Sequence, residues 1–134
     1  MRTVFVDTNV ILDVLLHDQG FWQDSIKIFR MAELKEIRAC ASASSMTDIF
    51  YVAKKKLTMP VAREAIGKLL DLFHIVGVDG EDLKGALAIR IDDMEDALQA
   101  WCAKKIKADT LITRDIDGFR NCGVPVAIPA EFCS

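Results

Sequence analysis

The chain is poor in the residues that usually mark a disordered, membrane-bound or disulfide-stapled protein. Three prolines and seven glycines among 134 residues argue against a disordered segment. No apolar run approaches the ~18 residues of a membrane span, and Asp7 and Asp13 interrupt the first apolar stretch where a leader peptide would continue it. The cytoplasm is therefore the expected compartment. Cys40, Cys102, Cys122 and Cys133 stand far apart with no CxxC pair, which fits neither a zinc site nor a disulfide framework, so packed, reduced thiols are expected. His17 and His74 lack metal-ligand spacing, and no Ser-His-Asp arrangement forms around them. A basic surplus is missing too. The net charge of -3 is not that of a protein living on phosphate contacts, although acids gathered around a metal would also pull the total negative.

What is present is a regular alternation of apolar runs and helical patterns. The length fits one domain spanning residues 1–134. Val4-Phe5-Val6 reads as a strand buried on both faces, followed by a helix for which Thr8 or Asn9 is the expected cap. A second helix is expected from Trp22 to Lys35, with Trp22, Ile26, Phe29 and Leu34 inward, then a strand from Ile37 to Ala41. Ser42 to Ser45 supply caps for a helix over Met46 to Lys56, and Pro60 opens another that reaches about Phe73. Strands are expected at His74 to Val78 and Asp109 to Thr113, and an edge strand at Val124 to Ile128, where Pro125 forbids a central place. Between them lie helices from Glu81 to Ala88 and from Asp92 onward, the latter with Met94, Leu98 and Trp101 on one side. The fold class is α/β: a three-layer α/β/α domain with a central, mostly parallel sheet.

In such a fold ligands bind outside the carboxyl ends of the strands, and two strands end on acids there. Asp7 follows Val4-Phe5-Val6, and Asp115 follows Leu111-Ile112-Thr113. A turn or helix cap is the structural alternative for each. Asp48 sits early in a helix among apolar neighbours, where a solvated first-turn acid is the alternative. Asp96 lies in the first turns of the later helix, on the side of Ala100 and Ala103, and Asp92 and Glu95 have capping-box spacing. If Asp7, Asp48, Asp96 and Asp115 converge, they form a hard-oxygen site suited to Mg²⁺ or Mn²⁺, which could activate water and stabilise charge on a phosphodiester.

These segments together resemble the PIN domain family. The resemblance runs through Val4-Phe5-Val6-Asp7-Thr8-Asn9, Ser42 through Thr47-Asp48-Ile49, Asp93-Met94-Glu95-Asp96-Ala97-Leu98-Gln99-Ala100 and Ala108-Asp109-Thr110-Leu111-Ile112-Thr113-Arg114-Asp115, and so covers essentially the whole chain. It implies a metal-dependent ribonuclease, often the VapC-type toxin of a VapBC toxin–antitoxin pair, acting on RNA. It implies that Asp7, Asp48, Asp96 and Asp115 bind the metal and carry catalysis, with Asp7 central, Asp96 and Asp115 completing the shell, and Asp48 binding a second ion or positioning the nucleophile. Asn9 and Thr113 become supporting polar groups, and a homodimer and a small antitoxin inserting near the acids are the implied partners. Two positions depart from the pattern. Asp48 stands where the family commonly has Glu, and Gly118 stands where an acid often precedes the Phe, leaving Asp117 as an accessory ligand or a loop residue.

Arg114 is the RNA-contact candidate because it adjoins the proposed site. Lys54-Lys55-Lys56 and Lys104-Lys105 with Lys107 read either as an RNA path or as solvated helix ends. Phe21, Trp22, Phe29, Phe50 and Tyr51 fit helical apolar patterns and are expected in the core or at oligomer contacts. Two competing classes are a catalytically weak or inactive PIN-fold module that binds RNA or protein, and an Asp-nucleophile phosphatase. The second needs an acid two residues after Asp7, where this chain has Asn9, and a larger domain for its lid.

Overall fold

A computed structural model describes residues 1–134. Five strands form one parallel sheet in the order β3-β2-β1-β4-β5: β1 (Arg2–Val6), β2 (Ile37–Ser42), β3 (His74–Val76), β4 (Thr110–Ile112) and β5 (Val126–Ala127). Helices α1 (Thr8–Leu15), α2 (Trp22–Glu33), α3 (Ala43–Lys56) and α4 (Met59–Leu72) connect β1, β2 and β3; α5 (Gly80–Leu87) and α6 (Met94–Lys105) lead to β4, and α7 (Pro129–Phe132) closes the chain.

The sheet separates two cores, because successive strand residues point to opposite faces. Val4, Val6, Ala39, Ala41 and Ile112 meet Val10 and Ile11 of α1, Ile28 and Phe29 of α2 and Leu69 of α4. Phe5, Cys40 and Leu111 point the other way, against the alanines of α6 and against Phe119. The result is a three-layer α/β/α architecture with β1 at its centre, and Val4, Phe5 and Val6 are fully buried. The chain runs outward from β1 through β2 to β3, then returns to the opposite side of β1 as β4. The loops after β1 and β4 therefore part in opposite directions and leave a crevice between the two strand ends.

The expected elements are all present, with shifted ends. Ser42 caps α3 by accepting the Ser45 amide at 3.1 Å, Thr58 caps α4, and Pro60 lies in the first turn of α4. β5 is an edge strand with Pro125 just outside it. Several details differ from the sequence reading. Leu34 is 70% exposed, because α2 stops at Glu33 and Lys35 turns the chain with φ of 59°. Asp93, not Asp92, caps α6, accepting the Asp96 amide at 2.9 Å, so the expected Asp92–Glu95 capping box does not form. The residue at the cap position of α1 is Asp7 rather than Thr8 or Asn9. Met94 points to solvent, whereas Ala97, Ala100 and Ala103 are buried, since α6 lies between the sheet and α5 and needs small residues for close approach.

The α5–α6 pair is locked by one carboxylate. Asp79 and Asp82 form a capping box at the start of α5, and Asp82 also accepts the Trp101 indole N–H at 3.0 Å and both ends of a 3.0 Å contact with the Lys105 ammonium. A side chain at Gly85 would collide with the Trp101 ring, so this glycine allows the indole to lie flat on α5. The Trp101 indole above all, then the Asp79 amide and Lys105, hold the Asp82 carboxyl well below its ordinary 3.8. A depressed folded-state value means that the stabilisation is complete above the unfolded value and is lost as pH falls below it. Thermal melts between pH 2 and pH 7 should show Asp82→Asn lowering the melting temperature at neutral pH and flattening the native profile below the unfolded value of 3.8. Parallel profiles would contradict this role.

Candidate functional site

Three helices start at the carboxyl edge of the sheet, and their N-terminal halves are linked by hydroxyl and amide side chains. The Thr8 hydroxyl donates to Ser45 Oγ at 2.9 Å, Ser45 meets Ser42 at 2.8 Å, and the Thr8 amide donates to Gln99 Oε1 at 3.2 Å. Thr8, Ser42, Ser45 and Gln99 are all buried. The starts of α1, α3 and α6 are thereby fixed to one another, and the partial positive charge of each favours a carboxylate nearby.

Asp7 sits at the centre of this arrangement. It is 2% exposed, and its Oδ2 accepts the Thr113 hydroxyl at 2.7 Å. The register makes this contact inevitable: Val6 pairs with Ile112, and the Asp7 amide donates to the Ile112 carbonyl at 2.9 Å, so the next residue of each strand stands side by side. Burial pushes the Asp7 carboxyl up; the Thr113 and Gln99 side chains and the amides of Asn9 and Thr8 oppose that rise.

Thr113 works in two directions, since its Oγ1 also accepts the Asp115 amide at 3.0 Å. The Asp115 carboxylate is then held by the Gly118 amide, which donates to Oδ1 at 3.0 Å. A Cβ built on Gly118 would fall on that carboxylate, so the position that departs from the family pattern is the one that leaves room for Asp115. Gly118→Ala is expected to lower activity about tenfold or more through displacement of Asp115, with little change in melting temperature. Kinetics and a thermal melt on the same sample check it.

Asp96 and Glu95 complete the acidic surface from α6. Burial and the nearby charges of Asp93, Asp7, Asp115 and Glu95 push Asp96 up to about 6. Glu95 is likewise raised, by burial and then by Asp48, Asp93 and Asp7. These mutual effects place Asp7, Asp96 and Asp115 in one field, and they link the exposed Asp48 of α3 to it through Glu95. No ion pair neutralises any of these acids: the six in the structure involve Asp13, Asp24, Glu64, Glu81, Asp82 and Asp117 instead. The donor set is all oxygen and anionic, which is the chemistry hard divalent cations require. As the side chains stand, no group of three or more is arranged to hold a metal ion.

The other expected residues flank these acids in sequence. Asn9 is exposed on the first turn of α1. Asp117 is exposed in a 3-10 turn over Asp117–Phe119 and pairs with Arg120 Nε at 2.8 Å. Arg114 pairs with Asp13 rather than with the four proposed ligands. Its Nε lies 2.8 Å from Oδ2 of buried Asp13, a charge contact rather than an aligned hydrogen bond, and its guanidinium stacks 4.1 Å from the centre of the Phe21 ring. The pair ties the segment between Thr113 and Asp115 to α1.

Sequence reasoning missed Gln99, Glu95 and Asp13 as members of this neighbourhood. Gln99 and Glu95 share a face of α6 with Asp96 by helical spacing, and Gln99 is the one polar residue in the buried run Ala97–Ala100. Asp13 interrupts the apolar sequence of α1 two residues after Ile11, where a buried acid needs a cation.

Known proteins are similar to this chain over nearly the full length. Ribonuclease VapC1 of Aquifex aeolicus (strain VF5) is 24% identical over 135 residues, covering 97% of this chain and 92% of that protein. The structure of DNA-bound VapBC from Salmonella typhimurium superposes with a TM-score of 0.74 at 15% identity, covering 96% of this chain and 99% of that one. A toxin–antitoxin complex from Klebsiella pneumoniae gives 0.68 at 21% identity, covering 94% and 97%. The family model of the PIN domain matches residues 3–117, a span that runs from β1 through every acid of the cluster, and the chain belongs to the PIN domain family.

Proposed function

We propose that this protein is a divalent-metal-dependent endoribonuclease, the toxin of a toxin–antitoxin pair, formed as one domain over residues 1–134. The carrying observation is the unneutralised set of carboxylates at the switch point of the sheet, with Asp7 buried beneath Thr113 and Asp96 pushed up to about 6 by burial and then by its anionic neighbours. Family membership supports a nuclease, and the Aquifex relative carries the name ribonuclease.

Asp7, Asp48, Asp96 and Asp115 would hold Mg²⁺ or Mn²⁺. Such an ion supplies charge neutralisation at the scissile phosphate and lowers the pKa of water at the site. The chain's own contribution is to aim the ligands: Thr113 orients Asp7 and Asp115 together, Gly118 fixes Asp115, and Gln99 holds the start of α1. Asn9 lies within reach of the solvent side of this edge and serves as a supporting polar group; Asp117 is engaged by Arg120 and stays outside the ligand set.

The neighbouring VapBC and toxin–antitoxin structures support a small antitoxin as partner. A groove of about 830 Å³ between α1, α2 and α4 offers it a seat, with Val14, Phe29 and Leu69 on its walls and Glu33, Asp71 and the Lys68–Glu64 pair among its polar residues, an acidic balance. These features suit an apolar segment with basic side chains. None of the four proposed ligands lines this groove. A homodimer in the cytoplasm completes the proposal; no helix is long and apolar enough to cross a membrane.

The open spacing of the acids favours a second reading, a PIN fold kept for binding with little or no hydrolysis. One assay separates the two. The nuclease reading expects the purified chain to cut single-stranded RNA when Mg²⁺ or Mn²⁺ is added and to stop when EDTA removes it. RNA binding without cleavage in either metal would favour the binding module.

A further inference from the structure

We propose that the outward face of α3 beyond Asp48, formed by Tyr51, Lys54 and Lys55, is a platform that binds single-stranded RNA and leads it to the carboxylate cluster. The inference rests on the nuclease reading and specifies how its substrate is held. An acidic site cannot by itself retain a polyanion, so cations must lie beside it. Arg114 already has its charge paired with buried Asp13, so further cations are needed.

The helix supplies the alternative. Met46, Ile49 and Ala53 are the buried side of α3. At about 100° per residue, Asp48, Tyr51 and Lys55 fall within ~60° of one another on the opposite side, and Lys55 stands about 10 Å along the axis from Asp48. Tyr51 is 53% exposed, against the expectation that it is a core or oligomer residue. The Lys55 ammonium lies 4.1 Å from the centre of its ring, and that of Lys54 lies 5.4 Å away. Neither lysine, nor the adjacent Lys56, takes part in an ion pair. An exposed aromatic ring with two ammonium groups resting over it, neither held by a carboxylate, is a combination that holds single strands without sequence preference once the lysines swing off the ring: the ring stacks a base and the lysines meet the flanking phosphates.

A second copy of the chain is a poorer occupant. Interface cores are depleted in lysine, and a two-fold contact centred on this face would bring each lysine cluster toward its own image. Single-stranded RNA has the complementary charge, and the stripe is continuous with Asp48.

The test is fluorescence anisotropy with a labelled single-stranded RNA oligonucleotide and the full chain in EDTA, which separates binding from metal-dependent hydrolysis. Tyr51→Ala is expected to weaken binding about tenfold, and Tyr51→Phe, which keeps the ring, to stay within about twofold. The Lys54→Ala/Lys55→Ala pair should reduce the slope of log affinity against log salt by about 1.4, that of two phosphate contacts on a single strand. Thermal melts confirm that these surface variants fold. Native affinity and salt slope in all three variants would overturn the platform, as would native protein that does not bind the oligonucleotide. If Tyr51→Ala instead turns a dimer into a monomer with unchanged RNA affinity per chain, the face belongs to a second copy and the proposal fails. Metal-dependent cleavage by the native chain is scored separately, so the platform can fail while the nuclease reading stands, and the reverse.

Discussion

Asp7→Asn is expected to reduce metal-dependent RNA cleavage by about 10³-fold or more, since it removes the negative charge of a proposed ligand to the ion that would stabilise the reacting phosphate. The fold should survive. Asn keeps the shape of Asp and an oxygen for the Thr113 hydroxyl, while the substitution deletes a buried negative charge whose pKa burial has already raised. The melting temperature in EDTA should therefore be at least that of the native chain. Activity lost together with stability would make Asp7 a structural acid, and activity retained would remove it from the reaction.

Thr113→Val is the second large effect, and it acts on both properties. Valine fills the same fully buried space but lacks the hydroxyl that donates to Asp7 and accepts the Asp115 amide. The buried carboxylate loses a donor and the amide loses an acceptor, a cost of about 2 kcal/mol. Two proposed ligands lose their shared support at once. Activity should fall about 10- to 100-fold, as it does when a group that orients a metal ligand is removed. Thr113→Ser, which keeps the hydroxyl, should recover most of the activity while still showing some loss of stability from the missing methyl. A Thr113→Val enzyme of native activity would show that the hydroxyl is only a packing feature.

The fold was largely legible because its signals are local. An apolar run, a capping serine or threonine and a proline at a first helical turn each act within a few residues, and β1, α3, α4 and the edge strand β5 lie where those signals put them. Errors arose where a short-range signal met a second candidate. Asp92 and Asp93 both suit a cap, and only the path of the backbone into α6 decides for Asp93.

The site was legible in a different way. Asp7 and Asp115 could be placed at one edge from their strands, and the bond through Thr113 follows from a register that joins residues 106 apart in sequence. Arg114 shows the limit. Its neighbours in sequence suggest RNA contact, while its partners Asp13 and Phe21 are distant in sequence and could not be read from it. Tyr51 shows the converse: its pattern fits an apolar stripe, yet the helix packs through Met46, Ile49 and Ala53 and leaves it at the surface. Gly118 looked like a lost acid, and the packing around Asp115 gives it a positive reason.

The central claim is that these carboxylates form one divalent-metal site, and thermal melting in a Mn²⁺ titration tests it most directly. An ion bound only by the folded state raises the melting temperature with its concentration. The native chain should show a saturating rise. Asp96→Asn, relieved of repulsion from Asp93, Asp7 and Asp115, should start higher in EDTA by about 3 °C and show little or none of that rise. Equal Mn²⁺-dependent shifts in the native and Asp96→Asn proteins, or no shift in the native protein, would contradict it.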